Sequence, residues 1–417
     1  LQLGPRPGRS HIQGSFILAT DVLLQPGPLR GSRALEPNRE IRELSQTMPG
    51  LYVHIPFCSS ACPYCDFAFV VGKESQGKRY VDALTVEFTK RIGHFHPDTI
   101  DTIVDTIYFG GGTPSSIAPS DLARFLQTVR NNISIAPDAE VTAEANPNDH
   151  LRFAALREAG ITRLSLGIQS TNDRTLKALG RTHTGRDAAR AVKAARAAGF
   201  ENLSVDTIFG CPSQTVAGWR TDLESVIALG PDHVSIYGLT IEPRTPFAKQ
   251  KASGALELPV EDDQARMYDI ALELTEQAGL EQYEISNFAR TGFESRHNLA
   301  CWSGDTYLGV GMSAHSYDGK IRSWNTRSLK PYLEQVERGE SVEDGCETIG
   351  EDTRRIERVM LGLRTREGID RILLGETTAT SRLLSGNLIE RAGERLRLTR
   401  RGKHIADLVC AELVRDL

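Results

Sequence analysis

Three cysteines fall within eight residues, in the run Cys58-Ser-Ser-Ala-Cys62-Pro-Tyr64-Cys65. Thiolates this close are soft ligands suited to zinc or to an iron–sulfur cluster. Zinc in a closed site needs a fourth donor, and neither cysteine nor histidine follows for many residues. A four-iron cluster held by three thiolates keeps one iron open, and an open metal position is where cofactor or substrate chemistry takes place. Spacing alone leaves both metals standing.

The cysteines follow an apolar run, Leu51-Tyr-Val-His-Ile-Pro-Phe57, which reads as a strand. Further strands are expected at 106–109, 140–144, 163–169, 203–209 and 234–240, with amphipathic helical stretches between them. That alternation is the pattern of a parallel α/β architecture. Six βα units fall short of the eight that close a full barrel. With right-handed crossovers they predict an open partial (β/α)6 TIM-like barrel. Polar residues recur where these strands end: Gly110–Gly112 with Thr113, then Glu144, Gln169, Asp206 and Thr240. In parallel α/β folds that edge carries the active site, and the cysteine loop follows a strand end as well. Glycines let a ligand approach backbone closely. Glu144 and Asp206 suit an ammonium or ribose hydroxyls, Gln169 offers an amide, and Arg181 can grip a carboxylate with two parallel bonds. Period-two alternation puts His54 on the face of Tyr52. Taken singly, each reads as a tight turn or a solvated loop residue. Their joint placement is the signal.

Length and composition bound the rest. The 417 residues allow two or three domains. Hydrophobic content of 40%, charge of 25% and a formal net charge of −5 describe an ordinary soluble protein with no basic excess for nucleic acid. No apolar run reaches membrane-spanning length. Seven unevenly spaced cysteines argue against a disulfide scaffold and for a reducing, cytoplasmic compartment. Residues 1–47 read as a disordered or non-native N-terminal extension, with Met48 as the natural start. Residues 48–290 form the barrel. Residues 291–348 are expected to supply loops on the substrate side and a linker, because 296–302 and 307–317 are rich in Gly, His and aromatics. Residues 349–417 form a smaller α+β domain of winged-helix type. Cys211, Cys346 and Cys410 are expected to pack as small apolar residues.

The Cys-x3-Cys-x2-Cys spacing with Tyr64 before the last cysteine resembles the radical S-adenosylmethionine (SAM) superfamily. That resemblance implies a [4Fe-4S] cluster on Cys58, Cys62 and Cys65, with SAM chelating the open iron. Tyr52-Val-His-Ile-Pro-Phe-Cys58, Phe109-Gly-Gly-Gly-Thr-Pro-Ser115, Glu144-Ala-Asn-Pro147, Gly167-Ile-Gln-Ser170, Leu179-Gly-Arg-x-His183 and Asp206-Thr-Ile-Phe-Gly-x-Pro212 are together similar to the oxygen-independent coproporphyrinogen III oxidase family, over about residues 49–415. The resemblance implies SAM contacts at Tyr52, Gly111, Gly112, Thr113, Glu144, Gln169, Arg181 and Asp206, with Tyr64 and Thr240 also bordering the cofactors.

That family has two branches. Its oxidases carry a fourth cysteine two residues after the third, where this chain has Phe67. Its heme chaperones lack that cysteine and carry His-Asn-x-x-Tyr-Trp, matched here by His297-Asn-Leu-Ala-Cys301-Trp302 with cysteine in place of tyrosine. The resemblance then implies a heme site made by His297 as iron ligand, with Trp302 as a flat wall and Asn298 as a further residue of the site. By itself His297 reads as a hydrogen-bonded loop histidine. The expected function is a radical SAM heme chaperone that binds [4Fe-4S], SAM and heme and passes heme to an unidentified apoprotein, with homodimerisation and peripheral membrane contact left open. The alternative is the oxidase, which decarboxylates propionate side chains.

Overall fold

The computed structural model describes residues 50–95, 103–375, 377–415 and 417. The expected extension at 1–47, and Met48, lie outside the described residues. Six parallel strands stand side by side in chain order: β1 (Gly50–Ile55), β2 (Ile103–Gly111), β3 (Ser134–Ala145), β4 (Arg163–Gln169), β5 (Asn202–Phe209) and β6 (His233–Gly238). Alternation along each strand sorts two faces. Leu51, Val53, Ile107, Phe109, Val141, Leu164, Leu166 and Val205 are buried in one continuous apolar core. The crossover helices complete that core; Gly77–Phe95, for instance, buries Tyr80, Val81, Leu84 and Phe88 at helical spacing. Each fully buried side chain of this size stabilises the fold by about 1.5–3 kcal/mol. The other face turns into the barrel and is polar. It carries Tyr52, Tyr108, Glu144, Arg163, Ser165, Asp206 and Ser235, all bordering one internal cavity.

The sheet extends past both ends of this set. β7 (Glu281–Gln282) and β8 (Asn287–Ala289) add antiparallel strands beside β6. A turn separates these two strands, in which Asn287 N–H donates to the Glu284 carbonyl at 3.3 Å. On the far edge β9 (Tyr307–Val310) runs parallel to β1, and β10 (His315–Tyr317), β11 (Ile321–Asn325) and β12 (Glu343–Thr348) follow antiparallel. The stretch expected to be loop and linker is therefore sheet, preceded by a helix at Arg296–Ser303. Ser295 caps that helix through the Asn298 N–H, and Gly304 ends it at φ +76°. Glu87 on the first crossover helix anchors the added strands. Its carboxylate accepts from Gly311 N–H (2.8 Å), the Tyr332 hydroxyl (2.7 Å) and the Asn325 amide (2.7 Å). Cys346 lies on the edge strand β12 and is exposed, not packed as expected, whereas Cys211 and Cys410 are buried.

From Glu351 onward the helices Glu351–Leu363, Thr378–Ser385, Arg400–Lys403 and Ala406–Val414 accompany a small sheet of β13 (Ile369–Asp370), β14 (Ile389–Ala392) and β15 (Arg395–Leu398). Val359, Leu363, Leu396, Val409 and Leu413 give it a core of its own. This is the appended helix-and-hairpin unit the sequence predicts. Ion pairs of Arg366 with Glu281 and Glu294, and of Arg400 with Asp269, hold it to the barrel. Among the described residues no helix is long and apolar enough to cross a membrane.

Candidate functional site

The cysteine loop leaves β1 and is closed at its root by a short parallel pairing of Phe57–Cys58 with Val70–Val71. Pro63 and Tyr64 brace its far side. The Pro63 carbonyl accepts from Phe247 N–H at 3.0 Å, and the Tyr64 ring packs on Phe247 at 6.3 Å beside Leu179 and Ile208. Arg181 donates to the Gly167 carbonyl at 2.8 Å and to Cys62 Sγ at 3.4 Å, so its guanidinium faces the thiol it would offset once ionised. Cys58 Sγ lies 3.6 Å from Thr113 Oγ1. Burial pushes the Cys58 thiol up to about 11 and the Cys65 thiol to about 12, so both are protonated at neutral pH and metal ligation displaces those protons. Among the described residues no three His, Cys, Asp or Glu side chains converge on a single ion. The three thiols instead border one cavity. That arrangement suits a cluster, in which each thiolate takes a different iron.

The glycine turn after β2 packs against the end of β1. Gly112 N–H donates to the Ile55 carbonyl and Thr113 N–H to the Phe57 carbonyl, both at 2.8 Å. Gly111 has φ +106°, and a Cβ there would sit 2.3 Å from the His54 ring. His54 Nε2 donates to the Ala68 carbonyl at 2.8 Å, which leaves Nδ1 to accept from the Tyr52 hydroxyl at 3.1 Å. Burial lowers His54 to about 4, so the imidazole is neutral and ties the strand to the cysteine loop.

Glu144 accepts from the Tyr108 hydroxyl (2.9 Å) and Gly111 N–H (3.2 Å). Burial pushes its carboxyl up to about 7 against the pull of the Tyr108 bond, and Asp206 adds repulsion. Burial raises Asp206 too, although Ser165 donates to it at 3.1 Å. Two carboxylates sharing a desolvated space favour a cationic guest. Gln169 ends β4 in the left-handed region at φ 62°, a conformation that costs a non-glycine residue energy and recurs at functional sites. Thr207 Oγ1 holds its carbonyl at 2.9 Å. Asp222 pins the next two residues, accepting from the Ser170 hydroxyl and from Thr171 N–H at 2.7 Å.

These groups surround a cavity of about 640 Å³ that runs through the barrel, within the size range of ligand sites. Every cofactor-site residue expected from the family resemblance borders it, including Tyr64, Gly112, Thr240 and Asn298, except His297 and Trp302. Those two belong to the Arg296–Ser303 helix, which closes the lumen at the strand N-termini, opposite the cysteine loop. Glu140, on β3, accepts from the backbone N–H groups of Arg296 (3.1 Å) and His297 (3.2 Å). His297 is 1% exposed, with Nδ1 2.9 Å from Thr106 Oγ1 and its ring stacked on Tyr108 at 5.1 Å. Burial, with Arg163 adding repulsion, lowers it to about 4, and its Nε2 has no partner. Trp302 lies under the Arg364 guanidinium at 5.2 Å, against the C-terminal domain.

The radical SAM superfamily model matches residues 52–226. The heme chaperone HemW of Mycobacterium tuberculosis (strain ATCC 25618 / H37Rv) is 37% identical over 372 residues, covering 88% of this chain and 94% of that protein. The chain belongs to the HemW family. HemW of Bacillus subtilis (strain 168) is 34% identical, with 89% and 100% coverage. Coproporphyrinogen III oxidase (HemN) from Escherichia coli, a radical SAM enzyme, superposes with a TM-score of 0.76 at 23% identity, over 89% of this chain and 92% of that one. At that identity the likeness shows the shared fold, a mostly parallel α/β sheet with an appended C-terminal domain. Radical SAM membership implies a [4Fe-4S] cluster and SAM.

Within this HemW-family chain, sequence reasoning missed Asp222, Glu140 and Arg163. Asp222 acts on a loop 51 residues away, and Glu140 caps a helix 157 residues away. Arg163 begins a strand whose polar end alone drew notice. Pairings this distant leave no local signal.

Proposed function

We propose that this chain is a radical SAM heme chaperone that binds a [4Fe-4S] cluster, SAM and heme and delivers the heme to an acceptor protein. The observation that carries the reading is one cavity in which three thiols, a glycine turn and a carboxylate pair meet, in a chain of the HemW family. Cys58, Cys62 and Cys65 hold the cluster, and Arg181 offsets its charge from beside Cys62. The glycine turn and Glu144 take the SAM ammonium, Asp206 its ribose hydroxyls, and Tyr52, Gln169 and Thr240 complete the wall. When bound, the cluster supplies one-electron reducing power next to SAM.

His297 is the heme-iron ligand in this reading. With Thr106 accepting from Nδ1–H, Nε2 keeps a lone pair and has no partner, the form in which imidazole binds metal. Since the ring is covered, heme binding requires the Arg296–Ser303 helix to shift from the lumen floor. The seven unpaired thiols support a reducing compartment, the cytoplasm.

The test is anaerobic reconstitution followed by two assays on one sample. Hemin titration should give a Soret band that is lost or displaced in His297→Ala. Coproporphyrinogen III with SAM and reductant should not turn over, because Phe67 stands where the oxidases carry a further cysteine. Turnover would overturn the chaperone reading. An unchanged Soret band in His297→Ala would remove that residue as the ligand.

A further inference from the structure

At the lumen floor, below the groups assigned to SAM, three strands bring together side chains with unmet hydrogen bonds. Thr142, Arg163 and Asn202 are register neighbours across β3, β4 and β5. Thr142 Oγ1, Arg163 Nε and Nη2, and Asn202 Oδ1 are buried with no protein partner. Arg163 is 2% exposed and borders the cavity. Its neighbouring anion, Glu140, is 3.9 Å from Nε, beyond hydrogen-bond reach. The Glu140 oxygens are already engaged by the Ser295 hydroxyl and the N–H groups of Arg296 and His297. A buried guanidinium with idle donors is costly until an anion takes them, and its planar fork matches a carboxylate. A second basic group at this level is already satisfied. His233 bonds Ser204 through Nδ1 and Tyr283 through Nε2, both at 2.8 Å. His297, with its own unpartnered Nε2, sits on the opposite side of Glu140.

We propose that Arg163, with the Thr142 hydroxyl beside it, forms a carboxylate site in the lumen floor, and that its occupant is a propionate of the heme ligated by His297. This rests on the heme reading above. A tetrapyrrole entering where the helix shifts would meet the His297 lone pair with its iron and the Arg163 fork with its acidic edge.

The experiment compares hemin with hemin dimethyl ester, which has the same ring and iron but no free carboxylates. Both are titrated anaerobically into cluster-loaded, SAM-bound, full-length protein and followed at the Soret band. Wild type should bind hemin at least tenfold more tightly than the ester. The Arg163→Met/Glu140→Gln double variant removes both buried charges together, so neither is stranded, and should bind the two rings equally. Arg163→Lys, which keeps the charge without the fork, should show an intermediate preference and serves if the double variant does not fold. An undiminished preference in the folded double variant, or in Arg163→Lys, would overturn the proposal. So would a loss of SAM affinity with the hemin preference intact, which would give Arg163 to the carboxylate of SAM. Equal binding of both rings by wild type would overturn this inference alone. No Soret band with either ring would overturn the heme reading and this inference with it.

Discussion

Glu144 is a carboxyl whose ionisation waits on its guest. Burial holds it near 7, so in the protein without SAM it is about half protonated at neutral pH. An ammonium beside it favours the charged form, and SAM binding must then expel a proton whenever the pH lies below 7. Affinity should fall up to tenfold per pH unit there, about 1.4 kcal/mol. Calorimetric titration of cluster-loaded protein between pH 8 and pH 6 should show this slope, with Glu144→Gln weaker and flat. A slope unchanged in Glu144→Gln would take that residue out of the SAM contact. Folding stability runs the other way. A carboxyl raised above its unfolded value adds stability that is complete below about 4.5 and is lost as the pH rises through about 7. Gly111 makes a second demand at this scale. Gly111→Ala sets a Cβ in the left-handed region and against His54, so urea titration should show a loss of at least about 1–2 kcal/mol from backbone strain alone. These residues were legible because glycine runs and carboxylates at strand ends are unusual in type and fixed in period. Arg163 was not, since an inward arginine at a strand start looks like any solvated cation.

At the scale of elements, the loop after β4 and the Arg296–Ser303 helix show how distant carboxylates set local geometry. Gln169 holds a left-handed backbone with Thr207 bonded to its carbonyl and Asp222 fixing the two residues that follow it. Asp222→Ala leaves Ser170 and Thr171 without their acceptor, a loss of about 1–3 kcal/mol. It should weaken SAM binding while cluster content stays at the wild-type level. SAM affinity that survives the substitution would mean that the loop needs no such anchor. The helix was missed because Gly, His and aromatic content reads as loop, although Ser295 and Gly304 stand at the two ends as cap and stop. The strands beyond it are three to six residues long, and they join the sheet through β1, more than 250 residues earlier in the chain. Too little alternation fits in so short a strand for its period to be read. The six barrel strands were legible because each is followed by a helix of matching amphipathicity.

Across the whole molecule, the barrel has two ends of different chemistry. The thiols and carboxylate pair lie at the strand C-termini, and the His297 helix closes the N-terminal end with its outer face against the appended domain. Arg364 links these parts, stacked on Trp302 at 5.2 Å and paired with Asp407 at 3.1 Å. Cation–π contacts at such partly desolvated sites are worth about 0.5–2 kcal/mol, enough to bias a helix that, in the proposed heme reading, must shift for heme to enter. Removing the contact should therefore act on the floor and not on the SAM end. Arg364→Ala is expected to speed amide hydrogen exchange across 296–303 and to raise the hemin association rate by several-fold, because local opening limits access. Exchange in β1–β6 and SAM affinity should stay at wild-type values. Faster exchange throughout the barrel would mean that Arg364 supports the fold at large. Unchanged exchange at 296–303 would mean that the appended domain does not hold the helix in place.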